Sequence, residues 1–255
     1  MFGVTGGYHR YFSHRTYKTS RAFQFCLAWL GASSAQMGPL WWAAHHRNHH
    51  RYSDTDKDLH TPSVQGFWWS HMGWILAKKN AMTNFAAVRD LARFPELRFL
   101  NKFYMLPPIL LAVGLAFWGL FLDFHFPHLN TSPLQMVVWG FFVSTVGLYH
   151  CTFSINSLAH TIGRRRFATK DSSRNSFILA LIAMGEGWHN NHHRYPASER
   201  QGFYWWEIDL THYLLKFLSW FHLVWDLREP PKEVYVEARQ IRLIETGIDN
   251  RENAG

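Results

Sequence analysis

Cysteine is almost missing from this chain of 255 residues, which carries only Cys26 and Cys151. Two thiols cannot build a disulfide framework or a four-thiolate metal site. Both have apolar neighbours in sequence, which predicts inert, packed thiols. Charge is scarce as well, at 17 % of residues, while Phe, Trp and Tyr supply another 17 %. Such a chain has the composition of a folded protein, not a disordered one, and its length allows one large domain with a sizeable core. The first motif follows Met1 almost at once, which reads as a chain without a signal peptide or hydrophobic leader. The H-E-x-x-H pattern of zinc hydrolases is absent. No haem or flavin motif is visible either.

Lys and Arg are missing in one place above all. Residues 1–102 hold 13, residues 103–155 hold none, and residues 156–255 hold the other 13. Two apolar stretches without formal charge lie in that gap, at residues 103–122 and 134–155. Each reaches the roughly 20 residues that cross a bilayer. Pro107 and Pro108 fall near the start of the first, where proline costs a helix least. Both flanks are basic and the linking segment 123–133 is not, so the flanks are expected on the cytoplasmic side of a membrane hairpin. The net charge of +8 would also suit nucleic acid. The cations, however, are spread among apolar and histidine-rich segments instead of forming a patch, which argues against that partner.

Other apolar runs are shorter or more broken. Residues 22–42 read as an interfacial helix ending near Gly38-Pro39, and residues 213–225 are similar in character. The ring clusters Phe67-Trp68-Trp69 and Tyr204-Trp205-Trp206 suit an aromatic belt at a membrane surface or the wall of an acyl pocket. The polar tail, 231–255, is expected to form a surface helix over 234–245 and then fray.

Histidine is abundant, at 17 residues. An ordinary core needs far fewer imidazoles, and metal binding is the first explanation. Three clusters stand out: HRYFSH from His9 to His14, HHRNHH from His45 to His50, and HNNHH from His189 to His193. Residues i, i+3 and i+4 share one helix face. His46, His49 and His50 therefore project together if helical, as do His189, His192 and His193. Asn156 and His160 share a face at the cytoplasmic end of the second apolar stretch. The set offers about nine nitrogens, more than one four-coordinate zinc uses and enough for two metals with five and four ligands. Imidazole suits iron, zinc, copper and nickel. His45 is one residue out of step with its neighbours and falls outside the set. His60, His71, His125, His128, His150, His212 and His222 are isolated and read as structural or interfacial. Glu186 and Glu199 lie near the third cluster but not inside a helical metal motif.

With their flanks, these motifs resemble the membrane fatty-acid desaturases of the acyl-CoA Δ9 (stearoyl-CoA) type, over nearly the whole chain. GVTGGYHRYFSHRTYK around His9 and His14 is similar to the first histidine box. HRNHHRYSDTDKDLH from His46 to His60 is similar to the second, and GFWWSHMGW from Gly66 to Trp74 continues the match. NSLAH from Asn156 to His160 and GEGWHNNHH from Gly185 to His193 complete it.

The resemblance implies an all-α integral membrane protein: a multi-pass single domain, residues 1–255, with a transmembrane hairpin and a cytoplasmic helical cap. The cap, residues 1–102 and 156–230, would carry a histidine-rich diiron site. One iron would be held by His9, His14, His46, His50 and His192. The other would be held by His49, His160, His189 and His193, with Asn156 acting through a water. Gln36, Trp42 and Thr152 match positions at the bend of an acyl tunnel, and Phe153 stands where the family commonly has Trp. O2 would be the co-substrate. The two electrons needed per turnover would come from cytochrome b5, ferredoxin or rubredoxin. The resemblance also implies two more membrane helices ahead of the first box, which gives the chain the look of a truncated member. Ala44 and His45 replace an Arg and an Asp found in animal members near the CoA headgroup, which leaves acyl-ACP and acyl-lipid open beside acyl-CoA. A hydroxylase on the same scaffold is the nearest enzymatic alternative. A non-enzymatic zinc or transport protein fits less well, because transport sites place polar ligands within the spans.

Overall fold

The computed structural model describes residues 1–245, and the final residues of the tail lie outside the described residues. The chain opens on a π-helix, Gly3–Ser13, buried at every position. It packs against the helix Arg21–Ala32, and the two approach closely because Gly31 faces Tyr8. A Cβ on Gly31 would stand 2.3 Å from the Tyr8 ring. Ser20 caps the Arg21–Ala32 helix by accepting from the Phe23 amide.

That helix ends at Ala32, not near Gly38-Pro39. A turn follows in which Ala35 and Met37 take positive φ of 55° and 66°. Gly38-Pro39 then begins the next helix, Pro39–Tyr52, with proline in its first turn. The single helix expected over residues 22–42 is thus two helices and a turn. A core built around Tyr8, Phe12, Leu27, Leu40, Leu97 and Leu100 joins these elements to the short helix Pro95–Lys102.

The two long apolar helices run Leu106–His125 and Pro133–His160. The first starts three residues later than the apolar stretch suggested, because Pro107 and Pro108 occupy its first turn. The second extends past the apolar stretch to include Asn156 and His160. It opens on a capping box, in which Ser132 Oγ accepts from the Gln135 amide and Gln135 Oε1 from the Ser132 amide. Large apolar side chains cover the outside of both helices, among them Phe117, Trp118, Phe124, Leu134, Trp139 and Phe142. So continuous an apolar patch is the kind of surface that meets a membrane or a partner protein.

The all-α expectation has one small exception. Lys18–Thr19 and Val224–Trp225 form a two-stranded antiparallel ribbon. It ends the segment expected as one apolar helix over residues 213–225, in which the helix itself is Leu210–Trp220. The C-terminal helix Lys232–Glu245 is anchored, with Val234 and Ala238 packed on Phe167 and Phe203. The thiols also depart from expectation. Cys26 is exposed and Cys151 half-buried, so neither is packed away. Apolar neighbours in sequence do not say which face of a helix is covered.

Candidate metal centre and adjoining cavity

Histidines of the three boxes meet with His160 at one place. His9, His14, His46, His50 and His192 form one set, and His49, His160, His189 and His193 a second. Within each set the ligand nitrogens lie within 4.8 Å of one another. The two α-helical boxes feed both sets: His46 and His50 point to the first and His49 to the second, while His192 goes to the first and His189 and His193 to the second.

The first box needs its unusual helix. His14 stands five positions after His9, which in an α-helix would put them about 140° apart. In the π-wound segment the His14 amide donates to the His9 carbonyl at 3.2 Å, and the two rings lie 4.9 Å apart. Arg47 then ties this segment to the second box, donating to the carbonyls of Phe12 and Ser13 at 2.9 Å. The third-box helix, His189–Arg194, is held by the two asparagines inside it. Asn190 Oδ1 accepts from the amides of Arg166 and Phe167. Asn191 Nδ2 donates to the Gln201 carbonyl and to Glu207. Gly185, ahead of this box, has φ of +112°, and a Cβ there would meet Asp209 Oδ1 at 2.2 Å.

Carboxylates orient several of the rings. Asp58 Oδ2 lies 2.9 Å from His49 Nδ1, and Asp171 Oδ2 lies 2.7 Å from His193 Nδ1. Glu186 contacts His9 Nδ1 and also accepts from Arg10 at 3.0 Å. Each partner fixes the tautomer so that Nε2 is left for the cluster. Arg10 is fully buried among Glu186, Asp209 and Glu199, and the three carboxylates hold its charge firmly against the pull of burial. Sequence reasoning did not assign these roles to Glu186, Asp58 and Asp171. The contacts bridge up to 177 positions, and only Asp58, near its box, gave any local signal.

Burial, reinforced by neighbouring imidazoles, holds His14, His46, His50, His189 and His192 well below the ordinary imidazole pKa. They are neutral at pH 7, with lone pairs available. Burial also presses on His49, but the charge and hydrogen bond of Asp58 outweigh it and raise that ring. Facing Nε2 atoms stand 2.8 Å apart for His14 and His46 and 3.1 Å for His160 and His189. His192 Nε2 faces both His9 and His50. Neutral imidazoles cannot satisfy such a meeting with protons alone, since each pair of nitrogens shares at most one. Nε2 of His193 is buried without any hydrogen-bond partner. Converging imidazole nitrogens of this kind fit metal ions of the iron, zinc, copper and nickel group.

The remaining histidines divide. His45 lies outside both sets, stacked on Trp41 with its Nδ1 2.8 Å from the Trp41 carbonyl. His60 is not isolated: it stacks on His49 at 4.4 Å, and burial first, then His49, pushes its pKa down to about 3. His71 and His150 pair with each other at 3.1 Å, and His212 pairs with Glu199 at 2.7 Å.

A cavity of about 480 Å³ adjoins the first set. Its wall includes Gln36, Trp42, Thr152 and Phe153, together with His46 and Asn156. That volume lies within the usual range of small-molecule pockets, about 300–1,000 Å³. Gln36 Nε2 donates to Thr152 Oγ1 at 3.1 Å across this wall, and Trp42 stacks on His46 at 5.0 Å. Trp68 and Trp205 do not line it and are 71 % and 81 % exposed.

Comparison with known proteins agrees with this geometry. An Arabidopsis thaliana protein named palmitoyl-monogalactosyldiacylglycerol delta-7 desaturase, chloroplastic, is 38 % identical over 234 residues, covering 90 % of this chain and 59 % of its own length. An sn-1 stearoyl-lipid 9-desaturase of Anabaena variabilis is 38 % identical over 210 residues, 82 % of this chain and 72 % of its own. An acyl-CoA 5-desaturase of Anemone leveillei is 34 % identical over 233 residues, 90 % of this chain and 68 % of its own. The chain thus spans under two thirds of the Arabidopsis relative's length. The family model described as fatty acid desaturase matches residues 1–225, and the chain belongs to that family.

Proposed function

We propose that the chain is an O2-dependent desaturase that places a cis double bond at Δ9 of a saturated acyl chain. The observation that carries this reading is the shared wall: His46 belongs to the histidine cluster and also lines the apolar cavity. A methylene C–H is too weakly acidic for general-base catalysis, so a cavity opening on imidazole nitrogens calls for oxidative chemistry. His9, His14, His46, His50 and His192 would hold one iron. His49, His160, His189 and His193 would hold the other, with Asn156 acting through a water. Bound there, two irons supply O2 reduction and the removal of two hydrogens, which with two outside electrons and two protons give one alkene and two waters.

The protein's own part is placement. Asp58, Asp171 and Glu186 fix the orientation of His49, His193 and His9. Gln36, Trp42, Thr152 and Phe153 set the bend of the cavity, and so which carbon faces the metals. The apolar hairpin seats the chain in a membrane, with the histidine boxes on the cytoplasmic side. Cytochrome b5, ferredoxin or rubredoxin would supply the electrons. Acyl-CoA is the proposed carrier. A lipid-bound acyl chain is the second reading, favoured because Ala44 and His45, at the expected headgroup positions, are buried and uncharged in this fold.

The test is a fatty-acid profile from a host that lacks its own desaturase, with double bonds located by mass spectrometry. New cis-Δ9 monoenes, absent with His192→Ala, are expected. A hydroxy fatty acid without alkene would overturn the reading in favour of a hydroxylase. Pulse-labelled product appearing first in phospholipid would decide for the lipid carrier.

A further inference from the structure

The two histidine sets differ in what stands behind their rings. In the second set, Nδ1 of His49 faces Asp58, Nδ1 of His193 faces Asp171, and Nδ1 of His160 lies 3.2 Å from Ser172 Oγ. Asp171 and Ser172 are consecutive, so one loop braces two rings. That loop is itself fastened to the end of the second box. The Ser172 amide donates to Asp54, whose other carboxylate oxygen accepts from Thr61 and Ser63. The ion-pair partners of Asp58 and Asp171 are His49 and His193 themselves, so both negative charges bear directly on the second set.

The first set is braced at His9. Glu186 contacts Nδ1 of that ring, but its charge is already shared with Arg10 at 3.0 Å. Among the described residues, the ring bonds of His14, His46, His50 and His192 run through Nε2 alone, to one another or to His9. In the second set His189 is held in this way, through Nε2 to His160. Access differs in the same sense. The cavity has His46 in its wall but none of the four histidines of the second set. His14, His46 and His50 are half-buried, whereas His49, His160 and His189 are buried.

We propose that the two sets are unequal metal sites: the second fills first and empties last, and the first, on the cavity wall, is the exchangeable one. The inference rests on the reading that each set holds a metal, and not on the oxidation assigned to the pair. The first set offers five nitrogens against four, which favours it. Placement outweighs that extra donor. A partner behind a ligating imidazole is worth about 10–100-fold in metal affinity. The second set has two such carboxylates, and the first has one that an arginine already neutralises. A ring already held in place also loses less freedom when the metal arrives. A chain short of metal therefore carries its single ion at His49, His160, His189 and His193 and lacks the one beside the cavity.

The test titrates the metal-free full chain in detergent with Co(II), without O2, and follows the absorption bands of the bound ion. Wild type is expected to bind two ions in two steps, with Kd values about tenfold apart or more. His160→Ala should weaken the tight step and leave the loose one. His14→Ala should do the reverse, and in each variant the step that stays unmoved shows that the chain is folded. Asp58→Asn combined with Asp171→Asn tests the cause. Its tight step should weaken about 100-fold or more, with the loose step unmoved, so that the two steps merge or change order. Two steps of equal affinity in wild type overturn the proposal. So does a tight step that moves in His14→Ala but not in His160→Ala, or one that is unshifted in the double aspartate variant. A single step in wild type, weakened by His160→Ala and not by His14→Ala, leaves the precedence of the second set standing and overturns the two-metal reading.

Discussion

Nδ1 of His49 lies 2.9 Å from Oδ2 of Asp58, and both groups are buried. His193 and Asp171 repeat the relation at 2.7 Å. A carboxylate behind an imidazole raises its basicity and locks its ring, so these aspartates are expected to govern how tightly metal is held.

Asp58→Asn and Asp171→Asn should each lower iron affinity about 10–100-fold. Competition with a chelator, followed by metal analysis, measures this. His45→Ala serves as the control, because His45 belongs to neither set, and its iron retention should match wild type.

Arg10 holds three buried carboxylates together. Arg10→Met would leave them without a cation, a loss of about 3–5 kcal/mol of stability. Thermal unfolding in detergent should show a clearly lower midpoint. Arg10→Lys should recover only part, because an ammonium cannot reproduce the fork that spans Glu186 and Asp209.

The bond between Gln36 and Thr152 crosses the cavity wall without touching the histidine sets. Gln36→Ala or Thr152→Val should therefore change the distribution of double-bond positions or preferred chain lengths while iron content holds. Mass spectrometry of the products reads the first and metal analysis the second. An unchanged product profile in both variants would remove this pair from the specificity determinants.

Asp90 bonds both terminal nitrogens of Arg47, the residue that joins the first two boxes. Burial pushes its carboxyl up, but the hydrogen bond and charge of Arg47 outweigh that and leave it depressed. A depressed folded value means stability present above the ordinary carboxylate pKa and lost as pH falls through the folded one. Between pH 5 and 3, roughly around the ordinary carboxylate pKa, wild type should lose more stability than Asp90→Asn. Unfolding midpoints along that series provide the measurement.

How much was legible depended on whether the signal was local. The hairpin was legible because residues 103–155 contain no Lys or Arg and are apolar for lengths that only a span or a large core can use. The second and third boxes were legible because i, i+3 and i+4 define a face for any α-helix. Asp171 was not, since it reaches His193 across 21 intervening residues through a loop of no regular pattern. Nor was Glu186, which meets His9 only after the whole cap has closed. The ribbon of Lys18–Thr19 with Val224–Trp225 is too short to leave any alternation in the sequence. Cys26 shows the limit of composition, because an apolar run cannot say which side of its helix lacks a neighbour.

The wide winding of Gly3–Ser13 works as a two-sided register. One turn of it sends His9 and His14 to the cluster and Arg10 to Asp209 on another side. The winding and the spacing therefore have to match: with α winding at the present spacing the two rings would part by about 140°, so straightening this segment would open the ligand set while the chain kept its length.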